Sequence, residues 1–377
     1  MTPLGDKSRK GAYSVTGSLT DTGLIPVERG DHSEQAWNPK LISASRVNSF
    51  LQCGVAFKMH YVDGMPEQRS GSAALFGNVI HEALEKWTLD RKQDLVTLTA
   101  QAWMNQTRKH RKTQEFIQAY QGISVECMKA EQAARVSWEA KPMNRGKVSK
   151  APRMTKDFKE SAANQKLLKL IAHWLPKLTD SPWQFTERDP LPGLYDESLQ
   201  VAAKYARKYG SSPSSVHTEF GFMVEWRDYI LRGYIDAIDP LVAPTGELTG
   251  YLITDYKTYR AEASEMKDWR QGVMYDIAVR DLIHRGVLNL DPDLPRYIVY
   301  DYVRLLKRKD FAVTKKDWNQ LDAELTLYTR AIDNDIFLPA DKGANPDFCG
   351  YPENCCLRTR GEGVGCRGGI YNDDEEA

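Results

Sequence analysis

The sequence predicts an α/β fold in which a mixed sheet is flanked by helices. Apolar residues recur at helical spacing in the first half of the chain, for example from about Ala73 to Arg91. After Pro213 the pattern changes to β-like runs, and the chain then returns to a helix, a strand and a helix. Separate helices followed by three strands, a helix and a strand are typical of a mixed sheet with helices packed against it.

The first half is predicted to be mainly helical. Residues 1–38 are polar and aperiodic, so we expect a flexible lead-in there, with order beginning at Pro39. Ser43 or Ser45 can cap a first helix, because a hydroxyl accepts hydrogen bonds from the first turn. The next elements are a loop from Gly64 to Gly71, a helix from Ala73 to Arg91, a polar helical region from Leu95 to Ala140, a basic stretch from Met143 to Arg153, a helix from Ala162 to Leu178, a Pro-rich loop from Thr179 to Glu197 and a short helix from Leu199 to Tyr209.

The second half carries the predicted sheet. Two β-like runs are separated only by Arg227-Asp228, which indicates a hairpin. The predicted elements are strands from Val216 to Trp226, Tyr229 to Ile238 and Gly250 to Tyr256, a helix from about Ala263 to Arg285, a strand from Tyr297 to Leu306 and a helix from Lys315 to Asp333.

Composition and charge narrow the function classes. The 377 residues contain 51 Lys/Arg and 51 Asp/Glu, which argues against a purely electrostatic nucleic-acid binder. No stretch approaches the roughly 20 apolar residues of a membrane span. Met1 to Asp31 lacks an apolar core of a secretory signal, so we expect a cytoplasmic protein without a membrane partner. One segment, Lys141 to Lys169, has nine Lys/Arg against two acids and suits either a phosphate backbone or a solvated insertion.

Two carboxylates and a lysine lie at the ends of predicted strands. Asp236 follows Gly233-Tyr234-Ile235, and Asp255 ends the third strand, two residues before Lys257. Because side chains alternate along a strand, Asp255 and Lys257 share a face and Tyr256 lies opposite. Mg²⁺ and Mn²⁺ prefer such hard oxygen ligands together with substrate phosphate. The pattern therefore predicts metal-dependent phosphodiester hydrolysis, and the ordinary alternative is a surface ion pair.

Four further residues are candidates with ordinary alternatives. Gln271 and Tyr275 are four apart on a helix and hence on one face, where they could contact a phosphate or a base. Tyr275 could equally be a core residue and Gln271 a surface residue. His81 lies beside an apolar helical stripe, where a histidine is more often structural than a ligand. Glu219 lies in the first β-like run, where a solvated strand residue is the alternative.

Six cysteines are present, and four of them crowd the C-terminal region. In a reducing cytoplasm such a cluster predicts a metal or iron–sulfur site rather than disulfides. The remaining two, Cys53 and Cys127, stand apart in the sequence.

Five segments in order resemble the RecB/AddB-like branch of the PD-(D/E)XK nuclease superfamily, which includes viral and CRISPR-associated RecB-like exonucleases. They span roughly residues 41–366. The segments are Ser43 to Tyr61 with Cys53 and Phe57, the Gly-x-x-x-His helix Gly77 to Glu85, the Gly-x-x-Asp strand Gly233 to Asp236, the Asp-x-Lys-Thr strand Asp255 to Thr258, and the pair Gln271 and Tyr275.

The resemblance implies a role for each candidate. Metal binding would fall to His81, Asp236 and Asp255, with the backbone carbonyl of Tyr256. Lys257 would orient or activate the attacking water and stabilise charge on the phosphate. The DNA strand would be positioned by Gln271 and Tyr275. Glu219 matches a place that is commonly acidic in similar nucleases.

The resemblance also implies a [4Fe–4S] cluster that joins the two ends of the nuclease domain. Zinc bound by four cysteines and unmetallated thiols are the alternatives. The ligands would be Cys53, Cys349, either Cys355 or Cys356, and Cys366. The implied organisation is a flexible segment 1–38, a restriction-endonuclease-like domain 39–345 with a helical insertion around 95–210, and a cysteine-rich tail 346–377.

Together these features predict a Mg²⁺- or Mn²⁺-dependent deoxyribonuclease. We expect an exonuclease on single strands or duplex ends, serving recombination, repair or phage DNA metabolism in a bacterial or phage-infected cell. A catalytically inactive DNA-binding scaffold and a structure-specific endonuclease are the alternatives. The sequence has no Gly-x-x-x-x-Gly-Lys-Ser/Thr phosphate loop, so we expect any unwinding to come from a separate helicase or recombination protein.

Overall fold

The computed structural model describes most of the chain. The described residues are 38–65, 70–140, 156–178, 181, 183–185, 190–260 and 269–339. The predicted lead-in before residue 38, most of the basic stretch and the four C-terminal cysteines lie outside them. The described residues form two compact units. The first consists of residues up to 65, residues 88–91 and residues from 211 onward, and the second consists of residues 70–87 and 92–210.

Eight strands and ten α-helices are assigned within the described residues. In chain order they are β1 (Leu41–Ile42), α1 (Ala44–Gln52), α2 (Gly54–Phe57), a π-helical turn (Lys58–Val62), β2 (Ser70–Gly71), α3 (Ser72–Leu89), α4 (Leu95–Gln106), α5 (Arg111–Ala140), α6 (Lys156–Lys159), α7 (Ala162–Trp174), a 3₁₀ turn (Leu175–Lys177), β3 (Trp183–Gln184), α8 (Leu191–Tyr209), β4 (His217–Trp226), β5 (Tyr229–Val242), β6 (Leu248–Lys257), α9 (Trp269–His284), β7 (Arg296–Tyr302), β8 (Lys307–Phe311) and α10 (Lys315–Asp333).

The first unit is built on a mixed sheet flanked by helices, as predicted, and the sheet has six strands among the described residues. The long strand β5 pairs with β4 along one edge, through the predicted two-residue hairpin. On its other edge β5 pairs first with β1, up to Leu231, and then with β6, from Ala237. The β6–β7 pair is parallel, as a crossover through α9 requires, and β8 closes the sheet antiparallel to β7. Residues 232–236 of β5 therefore lie between the β1 ladder and the β6 ladder.

The two-residue strands β1, β2 and β3 were not predicted, and two longer elements also differ from the sequence-based expectation. Helix α8 begins at Leu191, not at Leu199, with Pro190 as its N-cap and Pro192 in its first turn. Proline is compatible with the first turn of a helix because the first N–H groups of a helix have no intrahelical partner. The predicted Pro-rich loop was therefore wrong from Leu191 onward. Strand β8 was not predicted because its sequence, Lys-Arg-Lys-Asp-Phe, is mostly charged. Such charge is typical of an edge strand, and among the strands of the described residues β8 pairs only with β7.

Helix α9 packs closely on the sheet of the first unit. An ideal Cβ at Gly272 would lie 2.7 Å from Phe311 Cζ and 2.8 Å from the Tyr300 hydroxyl. Only glycine permits this approach of the helix backbone to β7 and β8. The approach places the N-terminal turns of α9 over the carboxyl ends of β6 and β7.

The second unit is helical and is held by buried polar and aromatic contacts. Trp103 Nε1 donates a 2.8 Å hydrogen bond to Ser198 Oγ, which joins α4 to α8. The Tyr120 hydroxyl donates to the carboxylate of Asp196, which joins α5 to α8. Both hydrogen bonds pair buried polar groups of neighbouring helices, which lowers the cost of burying them. Across the described part of the chain, no helix combines the length and the apolar character needed to cross a membrane.

Candidate active site

Three carboxylates form a row across neighbouring strands of the first unit. The β4–β5 register places Glu219 opposite Asp236, and one carboxylate oxygen of each lies within 4.8 Å of the other. Continuing the β5–β6 register by one residue places Asp236 opposite Asp255. Asp236 and Asp255 are 6% and 2% exposed, so their negative charges are largely removed from water. Close buried carboxylates repel one another strongly and require positive charge beside them.

The row lies where β5 and β6 separate. Their last ladder pair is Ala237 with Thr254. Beyond this pair, the Tyr256 N–H donates a 2.7 Å hydrogen bond to the Asp236 carboxylate instead of to a backbone carbonyl of β5. The Asp236 side chain is thereby fixed at the opening between the two strands.

Glu219 has an unusual backbone conformation. Its φ of 44° lies in the left-handed region, which costs a non-glycine residue about 1–2 kcal/mol. Strain of this kind persists where surrounding contacts hold the residue, and it is concentrated at functional sites. Here it accompanies a carboxylate held close to Asp236.

Lys257 is held between a carboxylate and an amide. Its Nζ lies 2.8 Å from Asp255 Oδ2 and donates a 2.9 Å hydrogen bond to Gln271 Oε1. The lysine side chain is 11% exposed, so solvent screens this ion pair little. The ring of Tyr300 lies 5.6 Å from the same ammonium, a distance at which its face attracts a cation.

Tyr275 links the helix to the acids. Its hydroxyl accepts a 2.6 Å hydrogen bond from Gln271 Nε2 and lies 2.6 Å from the Tyr234 carbonyl oxygen and 3.2 Å from Asp255 Oδ1. Burial, together with the charges of Asp255 and Asp236, raises the pKa of Tyr275 well above its usual value. The phenol therefore stays protonated and acts as a donor to the site.

Tyr256 presents only its backbone to the row of acids. Its side chain is 3% exposed, and its pKa is raised well above the usual value by burial and by the charges of Asp239 and Asp301. Asp239 also accepts hydrogen bonds from the Thr254 and Ser215 hydroxyls. This polar cluster lies on the face of the sheet opposite Asp255 and Lys257, as alternation along β6 requires.

Two further sequence candidates lie on other elements. His81 is a half-buried residue of α3 in the second unit, and its role as a ligand stays a prediction. Cys53 caps α2, where its Sγ accepts a 3.4 Å hydrogen bond from the Ala56 N–H. The other four proposed cluster ligands lie outside the described residues.

Two contributors were missed in the sequence. The Tyr234 carbonyl, which accepts from Tyr275, lies in the gap between the two ladders on β5. Tyr300 lies beside Asp255 in the parallel β6–β7 register. The sequence predicted a strand that contains Tyr300, but it did not predict which residue of β6 lies beside Tyr300. The register between two strands distant in sequence depends on their packing and cannot be inferred from either strand alone.

The comparison with protein families agrees with this geometry. The family model of the PD-(D/E)XK nuclease superfamily matches residues 41–356. A comparison with curated proteins gave no match. The family match covers well over half of the sequence and includes every residue of the acid row and of the Lys257–Gln271–Tyr275 network, and the chain therefore belongs to the PD-(D/E)XK nuclease superfamily.

Proposed function

We propose that this protein is a metal-dependent deoxyribonuclease whose centre is the row of Glu219, Asp236 and Asp255 with Lys257 beside it. The single observation that carries the proposal is the convergence of these groups where β5 and β6 separate, with Lys257 Nζ 2.8 Å from Asp255 Oδ2. A superfamily of nucleases has DNA as the expected substrate.

The donor set fits a hard divalent cation. Carboxylate oxygens are the ligands that Mg²⁺ and Mn²⁺ prefer, and Glu219 and Asp236 already present two of them within 4.8 Å. We assign Asp255, His81 and the Tyr256 carbonyl as further ligands, on the resemblance to RecB/AddB-like nucleases. When bound, such a cation would polarise the phosphodiester and lower the pKa of a coordinated water.

Each remaining residue has a defined task in the proposal. Lys257 would orient or activate the attacking water and stabilise charge on the phosphate. The Gln271 amide oxygen fixes the direction of the Lys257 Nζ, and its amide nitrogen contacts the Tyr275 hydroxyl. Both side chains would then position the DNA strand. Burial of these groups strengthens their electrostatic effect, because water does not screen them.

Linear and circular DNA test the proposal together. We expect the protein to degrade end-labelled single-stranded DNA or duplex ends with Mg²⁺ or Mn²⁺, and to be inactive with EDTA. Circular single-stranded DNA should stay intact, as an exonuclease requires, and its cleavage would assign an endonuclease instead. Absence of cleavage under all metal conditions, with DNA binding retained, would assign a DNA-binding scaffold.

Two variants connect the activity to the site. Asp255→Asn and Lys257→Met should each abolish cleavage, and circular dichroism should show the wild-type fold. Asp228→Asn is a matched control, since it changes an exposed carboxylate on the hairpin turn of the same unit. Cleavage at the wild-type rate by either site variant would refute the assignment.

We also propose a [4Fe–4S] cluster on Cys53, Cys349, Cys366 and one of Cys355 or Cys356. The segment that precedes the cysteine-rich tail supports this assignment, because the Gly54 N–H donates a 2.7 Å hydrogen bond to the Leu338 carbonyl. Leu338 thus lies beside Gly54, which follows Cys53 in the sequence. Iron and sulfide content with a visible absorption band should identify the cluster, whereas one colourless zinc per chain would identify the alternative.

A further inference from the structure

A cavity of about 500 Å³ lies in the first unit beside the second half of α9. This volume is within the range of small-molecule binding sites, which combine apolar walls with a few polar groups. Both kinds of side chain line this cavity. Those used below are Glu225 and Trp226 of β4, Ile277 and Arg280 of α9, Arg296 of β7 and Trp318 of α10.

The cavity lies away from the acid row. On α9, Arg280 follows Gln271 by nine residues, which corresponds to about 13 Å at ~1.5 Å per residue. On β7, Arg296 precedes Tyr300 by four residues, or about 13 Å at ~3.3 Å per residue. Tyr300 in turn lies beside Asp255 in the β6–β7 register. A ligand in the cavity would therefore leave the candidate active site unoccupied.

The aromatic part of the wall is held in place by a buried carboxylate. Asp276, which is 3% exposed, accepts hydrogen bonds at Oδ2 from Trp318 Nε1 at 3.1 Å and from Arg280 Nε at 2.8 Å. The Arg280 guanidinium lies 5.2 Å from the centre of the Trp318 ring. A second indole, that of Trp226, has the Arg227 guanidinium 5.1 Å from its ring centre. The cavity therefore offers indole rings against which a flat aromatic group can stack.

Arg296 contributes an unpaired hydrogen-bonding edge to the cavity. Its Nη1 donates to the carbonyls of Pro292 and Leu294 at 3.2 and 3.4 Å, which anchors the guanidinium. Its Nε is buried, and neither Nε nor Nη2 has an acceptor among the residues that the structure describes. Buried donors without acceptors are rare in folded proteins, and each one calls for an explanation. The N–H groups of Nε and Nη2 are parallel, so together they match two oxygens of one phosphate.

Most charges around the cavity are already paired. Arg280 forms an ion pair with Asp276, and the lining residue Asp281 forms one with an arginine of the next turn. Within the described part of the chain, Arg296 and Glu225 form no ion pair. Burial is the main cause that lowers the pKa of Arg296, yet arginine stays charged at ordinary pH, so an anion beside it would offset its desolvation. The exposed Glu225 carboxylate can accept hydrogen bonds from the amino group of a base.

We propose that this cavity binds a nucleotide, with the base against the indoles of Trp226 and Trp318 and the phosphate on the Nε and Nη2 edge of Arg296. Stacking on aromatic rings tolerates every base, because each base has a π-face, so we expect all four nucleotides to bind. The choice of a nucleotide rests on the proposed nuclease function, which supplies this chemistry from two sources. One is a free mononucleotide, and the other is a single unit of a DNA strand.

Calorimetry with free nucleotides tests the site. Full-length protein in EDTA is titrated with each deoxynucleoside 5′-monophosphate and with the matching deoxynucleoside. The wild type should bind the monophosphate about tenfold more tightly than the nucleoside, because charged hydrogen bonds form to the phosphate. Arg296→Met should bind the two compounds equally and should keep the wild-type affinity for the nucleoside. Trp318→Leu should weaken the binding of both compounds about tenfold, since one stacking ring is lost.

Two further variants separate a ligand contact from a structural effect. Arg296→Lys keeps the positive charge but loses the planar pair of donors, so it should lose most of the preference for the phosphate. Arg330→Met is the matched control, because it removes an exposed arginine of the same unit, twelve residues from Trp318 on α10. The control should bind the monophosphate as the wild type does. Urea denaturation of each variant verifies that it is folded at the temperature of the titration.

A labelled single-stranded oligonucleotide distinguishes the two sources of the nucleotide. Its binding in EDTA is followed by fluorescence anisotropy. Weaker oligonucleotide binding by Arg296→Met than by Arg330→Met assigns the site to a unit of the DNA strand. Loss of the phosphate preference with unchanged oligonucleotide binding assigns it to a free mononucleotide. If Arg296→Met matches the wild type in both titrations, or if indole-3-acetate binds more tightly than every mononucleotide, the nucleotide site is overturned.

Metal-dependent cleavage of the same oligonucleotide by the wild type is scored separately. Cleavage by the wild type, with Arg296→Met matching it in both titrations, removes only this inference. Absence of cleavage, with nucleotide binding that depends on Arg296, removes the nuclease proposal and leaves the nucleotide site.

Discussion

Replacing Gly272 by alanine tests whether the fit of α9 against the sheet supports the active site. The added Cβ would lie 2.7 Å from Phe311 Cζ, 2.8 Å from the Tyr300 hydroxyl and 2.9 Å from Ile298 Cγ2. Tyr300 and Ile298 are almost fully buried, so neither side chain has free space into which it could move. The helix must therefore shift away from β7 and β8.

The expected loss of stability follows from two opposing effects. Alanine in place of glycine in a helix interior contributes about 1 kcal/mol of stability. Overpacking of a close-packed core costs about 1–3 kcal/mol, and three simultaneous contacts below 3.0 Å place Gly272→Ala at the upper end. We expect a net destabilisation of about 2 kcal/mol.

The shift should also disturb the candidate site. Gln271 adjoins Gly272, and its Oε1 lies 2.9 Å from Lys257 Nζ. Misplacement of a positioning group by about 1 Å can reduce a rate by as much as ~10²-fold. We therefore expect Gly272→Ala to cleave DNA roughly 10–100 times more slowly than the wild type at saturating metal.

Urea denaturation and initial cleavage rates measure the two effects. Gly122→Ala is the matched control, because Gly122 lies within α5 with no atom within 4 Å of the added Cβ. The control should gain about 1 kcal/mol and keep full activity. If Gly272→Ala is stabilised as the control is, or cleaves at the wild-type rate, the close packing of α9 does not support the site.

Three further substitutions test other parts of the first unit. Tyr275→Phe should lower the free energy of unfolding by about 1–3 kcal/mol, because the hydrogen bond from the buried phenol to the Tyr234 carbonyl is lost. An unchanged urea midpoint would contradict this. Glu219→Gly should raise the free energy of unfolding of the metal-free protein by about 1 kcal/mol, since glycine accepts a φ of 44° without strain. The same substitution should weaken Mn²⁺ binding measured by calorimetry, and an unchanged Mn²⁺ affinity would exclude Glu219 as a ligand. Gly54→Ala should destabilise the first unit by about 1–3 kcal/mol, because the added Cβ would lie 2.7 Å from the Leu338 backbone nitrogen. Thermal melting at the wild-type temperature would disprove that close contact.

Local patterns predicted much of the first unit. The hairpin at Arg227-Asp228 and the helix Lys315–Asp333 agree with the structure, and the predicted mixed sheet is confirmed. Short-range features carry these predictions, because alternation along a strand and periodicity along a helix are set by neighbours in sequence. Where the local signal conflicts with its context, as in the charged strand β8, the prediction failed.

The sequence by itself determined which chemistry this protein can carry. It identified Asp236, Asp255 and Lys257 as candidates and placed Asp255 and Lys257 on one face, since side-chain direction alternates along a single strand. Only the tertiary structure decided that Glu219 lies against Asp236, where β5 and β6 separate. Register between strands and a left-handed backbone at one residue depend on contacts between distant parts of the chain, and no local pattern encodes them.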